Sequence, residues 1–184
     1  MEITNDNVTV NIVELFGKQL VNLLQVLLFH SEKPVQKDEL IDILWPESKN
    51  PSSALKFSIF RLRSELNEID FFKDKEVIVT TRKGYILNPN LDWNIDFVEL
   101  QKAYNQINEG AELLDEKEFK IARKIFRLYQ GRFYASPSQL HWILQKQEVF
   151  RQMYVKTMMR TSCYLYTQKR YDEMMLMNYQ AVLI

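Results

Sequence analysis

The stretch Asn50-Pro51-Ser52-Ser53-Ala54-Leu55-Lys56-Phe57-Ser58-Ile59-Phe60-Arg61-Leu62-Arg63-Ser64-Glu65-Leu66 constrains the chain most, because a helix start signal, an apolar stripe and a cationic face coincide in it. Asn50 is placed to cap the first free backbone N–H groups. Pro51 suits the first helical position, having no N–H to lose and a φ that is already helical. Leu55, Ile59, Leu62 and Leu66 follow at spacings of four, three and four, one stripe of a 3.6-residue helix. With that stripe buried, Lys56, Phe60 and Arg63 are expected to stack on one exposed flank and Ser58 and Arg61 to stand on the other. A cylinder of this width fits the DNA major groove, where guanidinium groups pair with guanine O6 and N7. An ordinary amphipathic surface helix with solvated charges fits the same residues equally well, so the neighbouring sequence has to decide.

Global charge does not decide it. The 184 residues carry 24 basic and 24 acidic side chains, and 46% of them are hydrophobic, a composition that suits one large or two small well-packed domains. Cut after Leu91, the chain has 11 Lys/Arg against 13 Asp/Glu before the cut, a net of −2, so any nucleic-acid binding has to come from a local cluster rather than a long-range field. The single cysteine, Cys163, excludes an intrachain disulfide framework, fits a reducing compartment and reads as a small core residue. No signal segment and no apolar run of membrane-spanning length occurs, and the expected location is the cytoplasm, away from the membrane.

Taken in order, residues 2–15 read as a small β-hairpin, with Asn5-Asp6-Asn7 as its turn and Val8, Val10 and Ile12 alternating along its second strand. From Lys18 the period changes to that of a helix, and Leu20, Leu23, Leu24, Leu27 and Leu28 predict a central leucine-rich helix ending near His30-Ser31. His30 has no Cys, Asp or second His beside it at ligand spacing and reads as a polar helix end. After the connector Pro34-Val35, Asp38-Glu39 open a short helix through Leu40, Ile41, Ile43, Leu44 and Trp45 that Pro46 stops. Beyond Leu66, the β-branched run 76–81, the turn Arg82-Lys83-Gly84 and the return Tyr85-Ile86-Leu87 predict a hairpin with two cations at its tip and a glycine supplying an unusual φ.

Hairpin, helix, helix, cationic helix and basic-tipped hairpin make a winged helix-turn-helix order. The stretch "PVQKDELIDILWP…SSALKFSIFRLRSEL…VTTRKGYIL", over about residues 10–88, resembles the OmpR/PhoB-type winged helix as used in SARP-type bacterial transcriptional regulators. Carrying the resemblance are Asp38-Glu39-Leu40, Leu44-Trp45-Pro46, Arg61-Leu62-Arg63 and Gly84-Tyr85. Ser53 and Phe60 depart from it, standing where many members have a basic or small polar residue. The resemblance implies a recognition helix over 50–66 in the major groove and a wing over 76–88 on the adjacent minor groove or backbone. Ser53, Lys56, Phe57, Phe60, Arg61, Arg63, Arg82 and Lys83 would then touch DNA, with Arg61 and Arg63 facing the groove.

From Asn94 the sequence is purely helical. Phe97, Leu100, Tyr104 and Ile107 mark one helix that Gly110 would close. Asp115 with Glu118 resembles a capping box opening a second, with Phe119, Ala122, Ile125, Phe126 and Tyr129 inward and Gly131 at its end. Ser136-Pro137 would start a long third helix through Trp142, Val149, Tyr154, Met158 and Leu165, and Tyr171 a fourth running to the chain end. The Met and aromatic side chains of 153–179 are expected to be core and stacking surface, with a partner surface as the minor alternative. Paired helices of this kind suggest a tetratricopeptide-like stack. Asp96-Phe97, Ala122 with Leu128-Tyr129 and Gly131, and Trp142 resemble the bacterial transcriptional activator domain that follows the winged helix in SARP-type regulators. The expected division is 1–90 for the winged helix and 91–184 for the helical domain, and the unpartnered apolar face at 179–184 suggests a fragment of a longer chain.

No phosphate-cradling glycine loop, dinucleotide fingerprint, nucleophile elbow or paired-histidine metal spacing is present, and the acidic pairs sit at helix starts where the dipole accounts for them. The expected fold class is therefore an α+β winged helix-turn-helix domain followed by an all-α domain. The expected function is that of a non-enzymatic, cofactor-free transcriptional regulator. It would act on double-stranded DNA as a homodimer on repeated half-sites, with RNA polymerase as a possible partner. A winged helix that has lost DNA binding and serves as a protein-interaction scaffold is the alternative.

Overall fold

A computed structural model describes residues 1–5, 8–107, 113–131 and 141–182. Contacts divide the chain into a compact unit spanning Met1–Trp93 and a helical unit formed by the described residues from Asn94 on.

The first unit opens with strands β1 (Glu2–Asn5) and β2 (Val8–Asn11), paired antiparallel from Glu2↔Asn11 to Asn5↔Val8. Asp6 and Asn7 of the expected turn lie outside the described residues. The strand does not continue to residue 15 as expected. Asn11 Oδ1 accepts from the Val13 N–H and turns the chain into the short helix α1 (Ile12–Leu15), burying Ile12. Helix α2 (Lys18–Phe29) follows, burying Leu20, Leu23, Leu24 and Leu27, then α3 (Lys37–Leu44) and α4 (Pro51–Asn67). All three helices pack on one another. Gln19 Nε2 donates to the Leu44 carbonyl at 3.2 Å and satisfies the C-terminal end of α3.

The Leu55, Ile59, Leu62 and Leu66 stripe of α4 is buried. Each such side chain contributes about 1.5–3 kcal/mol relative to exposure, which outweighs the modest propensity differences along the helix. Asn50 departs from expectation. Its side chain makes no cap bond, and its own N–H instead donates to Ser48 Oγ at 3.3 Å, while Pro51 does take the first turn. Ser58 departs as well. It is buried rather than exposed, because it lies beside the leucine stripe and is small enough to be covered with it.

Strands β3 (Ile78–Thr81) and β4 (Gly84–Leu87) form the second hairpin, with Ile78↔Leu87 and Thr81↔Gly84 at its ends. Val35 adds a single bridge on the other side of β4, its N–H donating to the Tyr85 carbonyl at 2.8 Å and its carbonyl accepting from the Tyr85 N–H at 3.0 Å. Glu76 and Val77 stay outside the ladder. Their carbonyls instead accept from the Asn88 side chain and backbone N–H.

In the helical unit, α5 (Asp96–Asn105), α6 (Glu116–Leu128), α7 (His141–Thr167) and α8 (Tyr171–Val182) pack on their neighbours in sequence. Asp115 and Glu118 form the expected reciprocal capping box, at 2.7 and 3.0 Å. Gly110 and Ser136-Pro137 lie outside the described residues. The buried stripe of α7 runs through Ile143, Phe150, Tyr154, Thr157, Thr161 and Leu165, and Val149 lies in the helix but is exposed. Thr157 and Thr161 can be buried because their hydroxyls donate to the Met153 and Thr157 carbonyls one turn back. Cys163 is exposed, contrary to the core position expected of it. The aromatic-rich stretch is also not all core, since Met175, Leu176 and Tyr179 of α8 are exposed.

Candidate nucleic-acid interface

Helix α4 and the tip of the β3–β4 hairpin carry the candidate site. Opposite the buried stripe, α4 exposes Ser53, Phe57 and Arg61, each about one turn after the last, alongside Lys56 and Phe60. This face is both apolar and cationic. Phe57 is 62% exposed and Phe60 70%, and the Arg61 Cζ lies 6.0 Å from the centroid of the Phe57 ring, at the outer limit of a cation–π contact. Arg61 Nη2 also lies 3.3 Å from Glu65 Oε1. An exposed pair one turn apart contributes only about 0.3–0.5 kcal/mol, so Arg61 can leave Glu65 for a stronger anion at little cost.

Arg63 is placed differently from the free, groove-facing guanidinium expected from sequence. It is half-buried, and its Nε and Nη2 donate to the Ile78 carbonyl at 3.0 and 2.7 Å while Nη2 also donates to Thr80 Oγ1 at 2.8 Å. The sheet explains why that carbonyl is available. Tyr85 spends both backbone groups on Val35, so Thr80↔Tyr85 is a non-hydrogen-bonded pair of the β3–β4 ladder, and by the two-residue period so is Ile78↔Leu87. The Ile78 carbonyl therefore points off the outer edge of β3, where Arg63 meets it.

At the hairpin tip, Arg82 and Lys83 are exposed and neither has a positive φ. A two-residue hairpin ordinarily needs positive φ at its central residues. Here Gly84 takes the unusual conformation instead, with φ of +146°. Thr81 Oγ1 accepts from the Lys83 and Gly84 N–H groups at 3.2 and 3.1 Å and donates to the Gly84 carbonyl at 3.1 Å, which fixes the turn. Gly84 has a second reason to lack a side chain. A Cβ there would fall 1.8 Å from the Val35 carbonyl oxygen.

The structure thus brings Ser53, Lys56, Phe57, Phe60 and Arg61 to one face of α4, sets Arg82 and Lys83 on the hairpin tip, and ties Arg63 between the two elements. The roles of Thr80 and Thr81 were missed in the sequence, where both read only as β-branched strand residues. Their partners lie 17 and three residues away, and only the nearer belongs to a local turn pattern. Among the described residues no group of three His, Cys, Asp or Glu side chains could hold a metal ion, and no helix is long and apolar enough to cross a membrane.

No curated protein and no solved structure matches the chain. The family model described as "Transcriptional regulatory protein, C terminal" matches residues 13–87, which span α2, α3, α4 and the β3–β4 hairpin, and the match points to a DNA-binding transcription regulator.

Proposed function

We propose that the chain is a sequence-specific transcriptional regulator of the SARP type, in which α4 is the recognition helix in the major groove and the β3–β4 hairpin is the wing on the adjacent minor groove or backbone. The observation that carries this reading is the exposed face of α4, where Ser53, Lys56, Phe57, Phe60 and Arg61 stand opposite the buried stripe within the stretch that the family model matches. Lys56 and Arg61 flank that face and supply the local positive charge that the net −2 of residues 1–91 lacks.

Arg63 has a divided role in this reading. A bidentate base contact needs two adjacent guanidinium nitrogens, and Nε and Nη2 are already engaged by Ile78 and Thr80. Only Nη1 remains to meet a phosphate. Arg63 therefore positions the wing against the recognition helix and anchors the backbone, and base readout passes to Lys56, Phe57, Phe60 and Arg61. Arg82 and Lys83 anchor the wing to phosphates.

A single winged helix with so few cations binds weakly, and two copies on neighbouring half-sites bind usefully through effective concentration, so the working form is a homodimer on repeated half-sites. Residues 1–90 act as the DNA-binding domain. Residues 91–184 act as a tetratricopeptide-like activator domain offering a helical surface to RNA polymerase or another subunit, and the protein works in the cytoplasm without catalysis. Selecting bound fragments from a random DNA pool with the full chain tests the reading. A recurrent paired motif is expected, and recovery of no enriched sequence at low salt would leave only the scaffold alternative.

A further inference from the structure

Two phenylalanines stand side by side on the otherwise polar solvent face of α4. Phe57 and Phe60 expose 62% and 70% of their surfaces three residues apart, while the same helix buries its own leucines completely enough that neither ring is needed for the core. Left in water, such a pair is a liability for aggregation, and exposed apolar patches of this kind mark interaction sites. If α4 enters a major groove, the rings meet the base edges there. Those edges present hydrogen-bond donors or acceptors at every base, and thymine alone adds an apolar group, its C5-methyl, beside its O4 acceptor.

We propose that Phe57 and Phe60 are thymine readers that pack on the C5-methyl groups of thymines at neighbouring base pairs; this rests on the reading of α4 as a recognition helix. Spacing supports neighbouring pairs. Three residues advance about 4.5 Å along a helix axis, between one and two base-pair rises of about 3.4 Å. The two rings therefore span a short step rather than distant parts of a half-site. Chemistry supports thymine over the other bases, because a phenyl ring can neither donate to nor accept from a purine or cytosine edge, and covering such an edge would leave its polar groups without water. Arg61, beside the Phe57 ring, is then the group that reads a hydrogen-bonding base next to the thymine.

Replacing thymine by deoxyuridine in a duplex recovered by selection removes the methyl and leaves base pairing unchanged. Each thymine of the half-site is replaced in turn, and binding of the full chain is followed by fluorescence anisotropy. One or two positions are expected to lose about three- to fourfold in affinity, the value of burying one methyl-sized group. In Phe57→Ala and Phe60→Ala the thymine and deoxyuridine duplexes should bind equally at the position each ring covers. Both rings are exposed, so these variants keep their thermal midpoints, which is checked alongside. Equal binding of thymine and deoxyuridine duplexes by the unaltered chain overturns the proposal, and so does a methyl effect that persists in both variants. If binding is blind to the methyl and the Ala variants instead change the size of the protein in solution, the pair belongs to a protein interface. Salt-dependent duplex binding in that experiment would leave the DNA-binding reading standing, whereas loss of all duplex binding would remove both.

Discussion

Arg63 on α4 and Thr80 on β3 are joined by a hydrogen bond of 2.8 Å, and the same guanidinium holds the Ile78 carbonyl through two more hydrogen bonds, from Nε and Nη2. This clamp connects the two elements proposed to meet DNA, and in that reading Arg63 sets geometry rather than reading a base. Arg63→Ala should lower stability by about 1–3 kcal/mol in urea denaturation, because the Ile78 carbonyl loses charge-assisted partners. It should weaken binding to preferred and random duplexes by similar factors. Thr80→Val should show the same pattern at smaller size. A loss confined to the preferred duplex would mean that Arg63 releases Ile78 and reads a base.

Gly84 tests the three-way meeting of β3, β4 and Val35. An added Cβ would lie 1.8 Å from the Val35 carbonyl oxygen and 2.7 Å from its carbonyl carbon, and the backbone cannot yield without breaking the Val35–Tyr85 pair. A φ of +146° adds strain for any L side chain. Gly84→Ala should therefore destabilise the protein by about 3 kcal/mol or more. The control is Gly17→Ala, where nothing lies within 4 Å of the added atom and the change should stay within about 1 kcal/mol. Near-equal unfolding midpoints for the two variants would contradict the close approach.

The parts of this architecture that could be read from sequence are those with local causes. Leu55, Ile59, Leu62 and Leu66 announce their own burial by spacing, Asp115 and Glu118 announce a capping box three residues apart, and Gly84 announces an unusual φ beside two cations. Ser58, Thr157 and Thr161 do not, because the burial of a small polar side chain follows from what its neighbours cover and not from its own transfer energy. Ile12 and Val13 carry a strand-like alternation that one side-chain cap from Asn11 overrides. The Arg63 clamp is a contact across 15 and 17 residues, set by which edge of β3 has spare carbonyls, and no periodicity encodes it. For the candidate site, the exposed residues of α4 and the hairpin tip were legible one by one, and the engagement of Arg63 by Ile78 and Thr80 was not.

In the helical unit, Glu148 offers a test by pH. Arg151 donates to both of its carboxylate oxygens, at 2.8 and 2.9 Å, and Gln152 adds a third bond, which together hold its pKa down at about 2. A carboxylate whose folded pKa is depressed contributes stability above its unfolded value of about 4.3, and that contribution is lost as pH falls toward the folded value. Carboxyl carbon NMR should follow Glu148 titrating near pH 2, well below ordinary glutamates, and Arg151→Gln should move the midpoint back up. An ordinary midpoint in the unaltered chain would show that the pair does not persist in solution.

Salt dependence of duplex binding shows whether this neutral protein meets DNA through a small local cluster. If Lys56, Arg61, Arg82, Lys83 and the remaining end of Arg63 neutralise phosphates or lie in the groove beside them, log affinity should fall linearly with log salt with a slope between about −3 and −5. Lys83→Ala should reduce that slope by about one, since one phosphate contact goes, while Arg61→Ala should cost about 1–3 kcal/mol mainly on the preferred site. A chain that binds no duplex at low salt, or one whose binding is indifferent to salt and to Lys83→Ala, would show that this cluster does not meet DNA.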